Sequence, residues 1–129
     1  MKADKMSILI NQPFEQVLSG ARAAIAKNDL LLLHEINPQA ILATHQIITG
    51  KIRQLLFFHP VYMKQLLDND PSAVIEVPLK LVLRETETGA TMVSYYDPAR
   101  HLEGYNGLAA LAETLTGKME QVIALLLRT

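Results

Sequence analysis

Residues 76–98, EVPLKLVLRETETGATMVSYYDP, constrain the fold more than any other part of the chain. Apolar and polar side chains alternate on both sides of a short Gly-bearing segment. A strand sends successive side chains to opposite faces, so the pattern predicts two strands joined by a tight turn. The first strand is expected over residues 74–85, with Ile75, Val77, Leu79, Leu81 and Leu83 turned to a core. Glu76, Pro78, Lys80, Val82 and Arg84 then share a face that is at least partly wet. Pro78 has no N–H to give to a ladder, which predicts an edge position or a bulge there. A three-residue turn, Glu87-Thr88-Gly89, would put Gly89 in the left-handed position of a bulged hairpin. That register turns Val93 and Tyr95 to the leucine face and sets Met92, Ser94 and Tyr96 beside Arg84, Val82 and Lys80. A four-residue turn would exchange the two sets.

The remaining elements follow from spacing and punctuation. Residues 7–10 form a short first strand. Asn11 or Gln12 caps a helix with Pro13 in its first turn, and Phe14, Val17, Leu18, Ala21 and Ile25 fall on one of its faces. This helix ends near Asn28. The leucine run of residues 30–36 does not alternate, which predicts a strand covered on both faces. A helical stretch is expected at 38–46, a chain break at Gly50, and a strand at 53–59. Pro60 opens a helix to about residue 68, stopped by Asp70-Pro71. Asp97-Pro98 starts a short helical turn to Leu102, and residues 104–107 are a loop. Leu108, Leu111, Ala112, Leu115, Met119, Val122, Ile123 and Leu126 keep helical spacing over five turns, with Gly117 on the outer side.

Composition sets the function classes. A chain of 129 residues is one domain by length. Half of it is hydrophobic and 19% charged, with a net charge of −1. Without a basic stripe, the counterion release that drives nucleic-acid binding is missing. The absence of cysteine removes disulfides, thiolate catalysis and cysteine metal sites together. No apolar run approaches the roughly 18–20 residues that span a bilayer. The N-terminus, with Asp4 and only a three-residue apolar run, Ile8 to Ile10, before Asn11, does not read as a secretory signal. The expectation is a cytoplasmic protein with no nucleic-acid or membrane partner.

Three motifs in order carry a resemblance. Phe58-His59-Pro60 stands where a strand gives way to a helix, Glu76-Val77-Pro78-Leu79-Lys80 opens the next strand, and Ser94-Tyr95-Tyr96-Asp97-Pro98 closes the hairpin. In this the chain resembles the bacterial and archaeal domain-of-unknown-function family numbered 302. Its members carry a Gly-Asn-Pro-like corner, then Asp-Leu-Pro-Leu-Lys, then Ser-Tyr-Asn-Asp-Pro. Order and spacing fit across residues 7–128. The chain departs from the pattern at Asn37-Pro38, where many members have Asp-His, and at Phe58-His59 in the corner. The resemblance implies an α+β fold, an antiparallel sheet with helices packed on one face in a TATA-binding-protein-like arrangement, and members that tend to be dimers. It implies no agreed activity, and the fold name says nothing about DNA.

The side chains able to do chemistry are few. His59 at a strand end is an acid/base candidate with Asp70 or Glu76, or else a corner histidine bonded to backbone. The histidines at 34, 45, 59 and 101 show no helix-face pairing and no H-E-x-x-H, so no metal is expected. Glu76, Lys80 and Arg84, about 13 Å apart along a strand, could hold an anionic or polar ligand or simply be solvated. Tyr95 and Tyr96 could stack on a ligand or divide between core and surface. No glycine-rich phosphate loop, no G-x-S-x-G and no other cofactor motif is present.

The sequence thus predicts a ligand-binding or accessory module whose candidate site gathers His59, Glu76 and Lys80 around a small polar ligand. The alternative is an enzyme using His59 with Asp70 or Glu76. A homodimer is expected, because an antiparallel sheet covered on one face leaves Val82, Met92 and Tyr96 on the other. Leu125 and Leu127 also lie off the final helix's core stripe. The alternative is a monomer whose off-stripe leucines cover its own loops.

Overall fold

The computed structural model describes residues 5–129. The N-terminal reading therefore lies partly outside the described residues. Five strands, β1 (Lys5–Ile10), β2 (Leu31–Ile36), β3 (Ile52–Phe58), β4 (Leu79–Glu85) and β5 (Thr91–Tyr96), form one sheet. Its order is β1-β5-β4-β3-β2 and every neighbouring pair is antiparallel. The helices are α1 (Phe14–Lys27), α2 (Pro38–Ala43), α3 (Pro60–Asn69), α4 (Pro98–His101) and α5 (Ala109–Leu126), with a 3-10 turn at Pro71–Glu76. The fold is α+β, with helices packing against the sheet. Among the described residues no helix is long and apolar enough to cross a membrane.

The hairpin forms in the three-residue register. Leu81 faces Tyr95, Leu83 faces Val93 and Arg84 faces Met92. The Thr86 N–H donates to Ala90 at 2.9 Å, and Gly89 has φ +83°, a conformation open to glycine at little cost. Leu79, Leu81, Leu83 and Val93 are buried while Lys80 and Arg84 are exposed. One face of β4 is therefore core. Against that face lie Phe14, Val17, Leu18, Ala21 and Ile25 of α1, and Leu111, Leu115, Met119, Val122 and Leu126 of α5. Gly117 stands on the outside of α5, where a Cβ would meet open space.

Four expectations are corrected. Residues 74–76 belong to the 3-10 turn, not to β4. The Asp70 carboxylate accepts from the Ser72 N–H and Oγ, at 3.2 and 2.6 Å, and closes a turn before a strand can start. Ile75 is consequently 83% exposed rather than core. Pro78 is neither on an edge strand nor in a bulge. It precedes β4, which lies between β3 and β5, and the Val77–Pro78 bond is cis. The leucine run in β2, the outer strand of the sheet, is not covered on both faces: Leu31 and Leu33 are 47% and 55% exposed. The α1 N-cap is Pro13, without a side-chain cap, since the Gln12 N–H already turns back to Ile10 at 2.8 Å.

A candidate cleft at the start of β4

Three chain segments meet where β4 begins and β5 ends. Asp70-Pro71 folds the 3-10 turn that ends on Glu76. Asp97, accepting from the Ala99 N–H at 3.1 Å, caps α4 and carries His101 in its last position. The same Asp97 oxygen accepts from Thr116 Oγ1 at 2.7 Å, which ties α4 to α5. Between them lies a cleft of about 250 Å³ whose walls include Glu76, Pro78, Lys80, Tyr96, His101 and Met119.

Glu76 organises one wall. Tyr105 Oη donates to its Oε2 at 2.5 Å, and His101 Nδ1 lies 3.4 Å from its Oε1. Glu76 and His101 are both about a quarter exposed, at 25% and 28%. The hydrogen bond to Glu76 raises the pKa of Tyr105 above that of a free phenol, since a tyrosinate could not donate to a carboxylate. The rings of Tyr96 and His101 pack 4.7 Å apart. Tyr105 reaches Glu76 because the loop before α5 is pinned. The Asn106 N–H donates to the second Asp70 oxygen at 3.0 Å. This bond and those from Ser72 hold the Asp70 pKa low, the Ser72 hydroxyl contributing most. Gly107, with φ +69°, sits so close to Asn69 that a Cβ would meet its Oδ1 at 2.7 Å.

Of the residues singled out from sequence, Glu76 and Lys80 share this cleft, Lys80 from β4 and Glu76 from the turn rather than from the same strand face. His59 does not line it. It caps α3, its Nδ1 accepting from the Val61 N–H at 3.1 Å. It borders a separate, mostly apolar groove with Leu33, Phe58, Met63 and Leu67. That is the corner histidine bonded to backbone. Arg84 pairs with Met92 and Ile52 further along β4 and lines no part of the cleft. Tyr95 is on the core side, where burial raises its pKa. His101 and Tyr105 were missed. Asp97-Pro98 announces the helix that carries His101, but nothing in the spacing links residues 101 and 105 to residue 76. Among the described residues no cluster of three or more His, Cys, Asp or Glu could hold a metal.

The family model described as "Domain of unknown function DUF302" matches residues 6–126. The crystal structure of an uncharacterized conserved DUF302 protein from Bacillus stearothermophilus is similar, with a TM-score of 0.77 and 14% sequence identity. The match covers 97% of each chain; at that identity the likeness speaks for the fold alone. No curated protein matches the chain.

Proposed function

The chain belongs to the DUF302 family, a domain of unknown function, and we propose that it serves as a small cytoplasmic homodimeric module that binds a small polar ligand in the cleft between Glu76, Lys80, Tyr96 and His101. The observation that carries this reading is convergence. Four polar side chains, from the 3-10 turn, β4, β5 and α4, border one recess that Pro78, Leu102 and Met119 also line. A concave, mostly apolar site with a few convergent polar groups is the usual form of a small-molecule pocket. His59, expected in the same site, is left out of it. The TATA-binding-protein-like description of the fold is part of the same proposal, supported by the single buried face of β4. The test is a thermal-shift screen with small metabolites of each charge class. A hit should raise Tm in the wild type and lose its effect in Tyr96→Ala and Glu76→Gln. Hits indifferent to both substitutions would reject the cleft.

A second reading is acid/base chemistry on the bound molecule. The 3.4 Å approach of His101 to Glu76 favours it, because a carboxylate fixes the orientation of a histidine that moves protons. His101 then takes the part first assigned to His59. Turnover of a screen hit by the wild type, abolished in His101→Gln with the fold intact, would decide for the enzyme; binding without turnover decides against it.

A further inference from the structure

We infer that the ligand of this cleft is a small carboxylate with an apolar body, its anionic end held between Lys80 and Lys5 beside Tyr96. The inference rests on the cleft being a ligand site and adds the chemistry of the occupant. Three independent features lead to it.

First, the acidic wall is already engaged. Glu76 Oε2 accepts from Tyr105 Oη and its Oε1 lies 3.4 Å from His101 Nδ1, so the carboxylate faces partners within the wall. Asp97, next to Tyr96 in the chain, has its Oδ1 turned to Ala99 and Thr116.

Second, two cations flank Tyr96 on one sheet face. Lys5 is directly opposite Tyr96 across the β1–β5 ladder. On the other side the β4–β5 register ends at Leu81 and Tyr95, and one step further sets Lys80 beside Tyr96. Residues opposite each other on neighbouring strands share a face. The two lysine Cα atoms are therefore about 10 Å apart, two strand spacings, with a tyrosine between them. Among the described residues neither lysine is in an ion pair. Lys80 lines the recess, and Lys5, outside its lining, brings a second cation beside Tyr96.

Third, apart from Glu76, Lys80, Tyr96 and His101 the lining side chains are apolar, among them Val77, Pro78, Pro98, Leu102 and Met119. These surfaces have nothing to give a second polar end, and they gain from covering hydrocarbon. A cleft of about 250 Å³ is somewhat smaller than pockets for drug-sized ligands, which points to a compact molecule with one charged end.

The experiment is calorimetric titration of the full chain, at constant ionic strength, with four probes: benzoate, benzamide, benzylamine and inorganic phosphate. The titrations are repeated on Lys80→Gln, Lys5→Gln and the double variant, and amide NMR shifts report where each probe sits. Benzoate is expected to bind, shifting resonances around Tyr96 and Lys80, at least about fivefold more tightly than benzamide or benzylamine, as charge-assisted bonds require. Each single substitution should weaken benzoate by roughly three- to tenfold and leave benzamide unchanged. Benzamide or benzylamine binding in the cleft as tightly as benzoate overturns the anion assignment while leaving the cleft reading in place. So does a double variant that keeps full benzoate affinity. Phosphate binding more tightly than benzoate overturns the apolar body. If no probe shifts a cleft resonance, the inference and the ligand-site reading fail together.

Discussion

At the scale of single residues, Glu76 shows how a side chain acquires a role from its surroundings. It ends a proline-started turn and meets Tyr105, 29 positions later in the chain. Its carboxylate keeps the Tyr105 phenol protonated to higher pH than usual. For a group whose folded pKa is raised, the associated stability is present below the unfolded pKa, near 10. It is lost as pH rises through the folded value. Spectrophotometric titration should find Tyr95 and Tyr105 ionising above the ordinary tyrosine range, Tyr95 through burial. In Glu76→Gln only Tyr105 should return toward that range. A Tyr105 titration unaltered by the substitution would contradict the hydrogen bond.

At the scale of elements, β4 separates burial from exposure residue by residue. Leu81 is fully buried between β3 and β5, and Leu79 nearly so. Truncating either should leave a cavity and cost about 2–5 kcal/mol. Lys80→Ala, on the wet face, should cost under about 0.5 kcal/mol. Denaturant melts of the three variants test this, and equal losses in all three would refute the facing. A second element-level tie joins α1 to β2: Arg22 donates to both Glu35 oxygens, at 2.9 and 2.6 Å. The Arg22 bond holds the Glu35 pKa down. A depressed carboxylate pKa contributes stability above the unfolded value, and that contribution is lost as pH falls through the folded one. With Arg22 half exposed, solvent screening limits the pair to about 0.5–1 kcal/mol. Arg22→Ala should therefore destabilise by that amount at neutral pH and converge with the wild type below the folded pKa of Glu35. A difference between the two melts that persists at low pH would point to lost packing instead.

At the scale of the whole molecule, exposed apolar surface is unevenly spread. Leu31, Leu32, Leu33, Ile41, Ile47 and Ile48 are all exposed, and α2 buries none of its residues. By contrast Leu125, expected to be free on α5, packs partly against the core, although Leu127 stays exposed. Apolar clusters of this kind mark contact surfaces, and the open outer strand β2 beside them can pair with another edge. The homodimer proposed above is therefore expected to use the β2–α2 side with two-fold symmetry, burying on the order of 1,200–2,000 Å² in total if stable. Light scattering at micromolar concentration should give about twice the 14.3 kDa chain mass. A mass near 14.3 kDa across the dilution range would reject the dimer, and Leu33→Asp should shift a dimer toward that value.

The sequence by itself determined the elements whose signals are local. The period of two in residues 79–85, the helical stripe of α5 and the Asp97-Pro98 cap each depend on residues a few positions apart, so backbone geometry suffices to read them. Gly89 selected the hairpin register because the turn needs a residue at positive φ. Only the tertiary structure decided the rest. Sheet order made β2 an outer strand, and a run of leucines cannot state whether a helix packs over its faces. Asp70 closed a turn through Ser72 and Asn106, the latter 36 positions away, and this withdrew residues 74–76 from the strand. The cleft joins Glu76 and Lys80, which the sequence had marked, to Tyr96 and to His101. It leaves His59 on another groove, because contact between residues so far apart follows from how helices pack on a sheet and not from spacing along the chain.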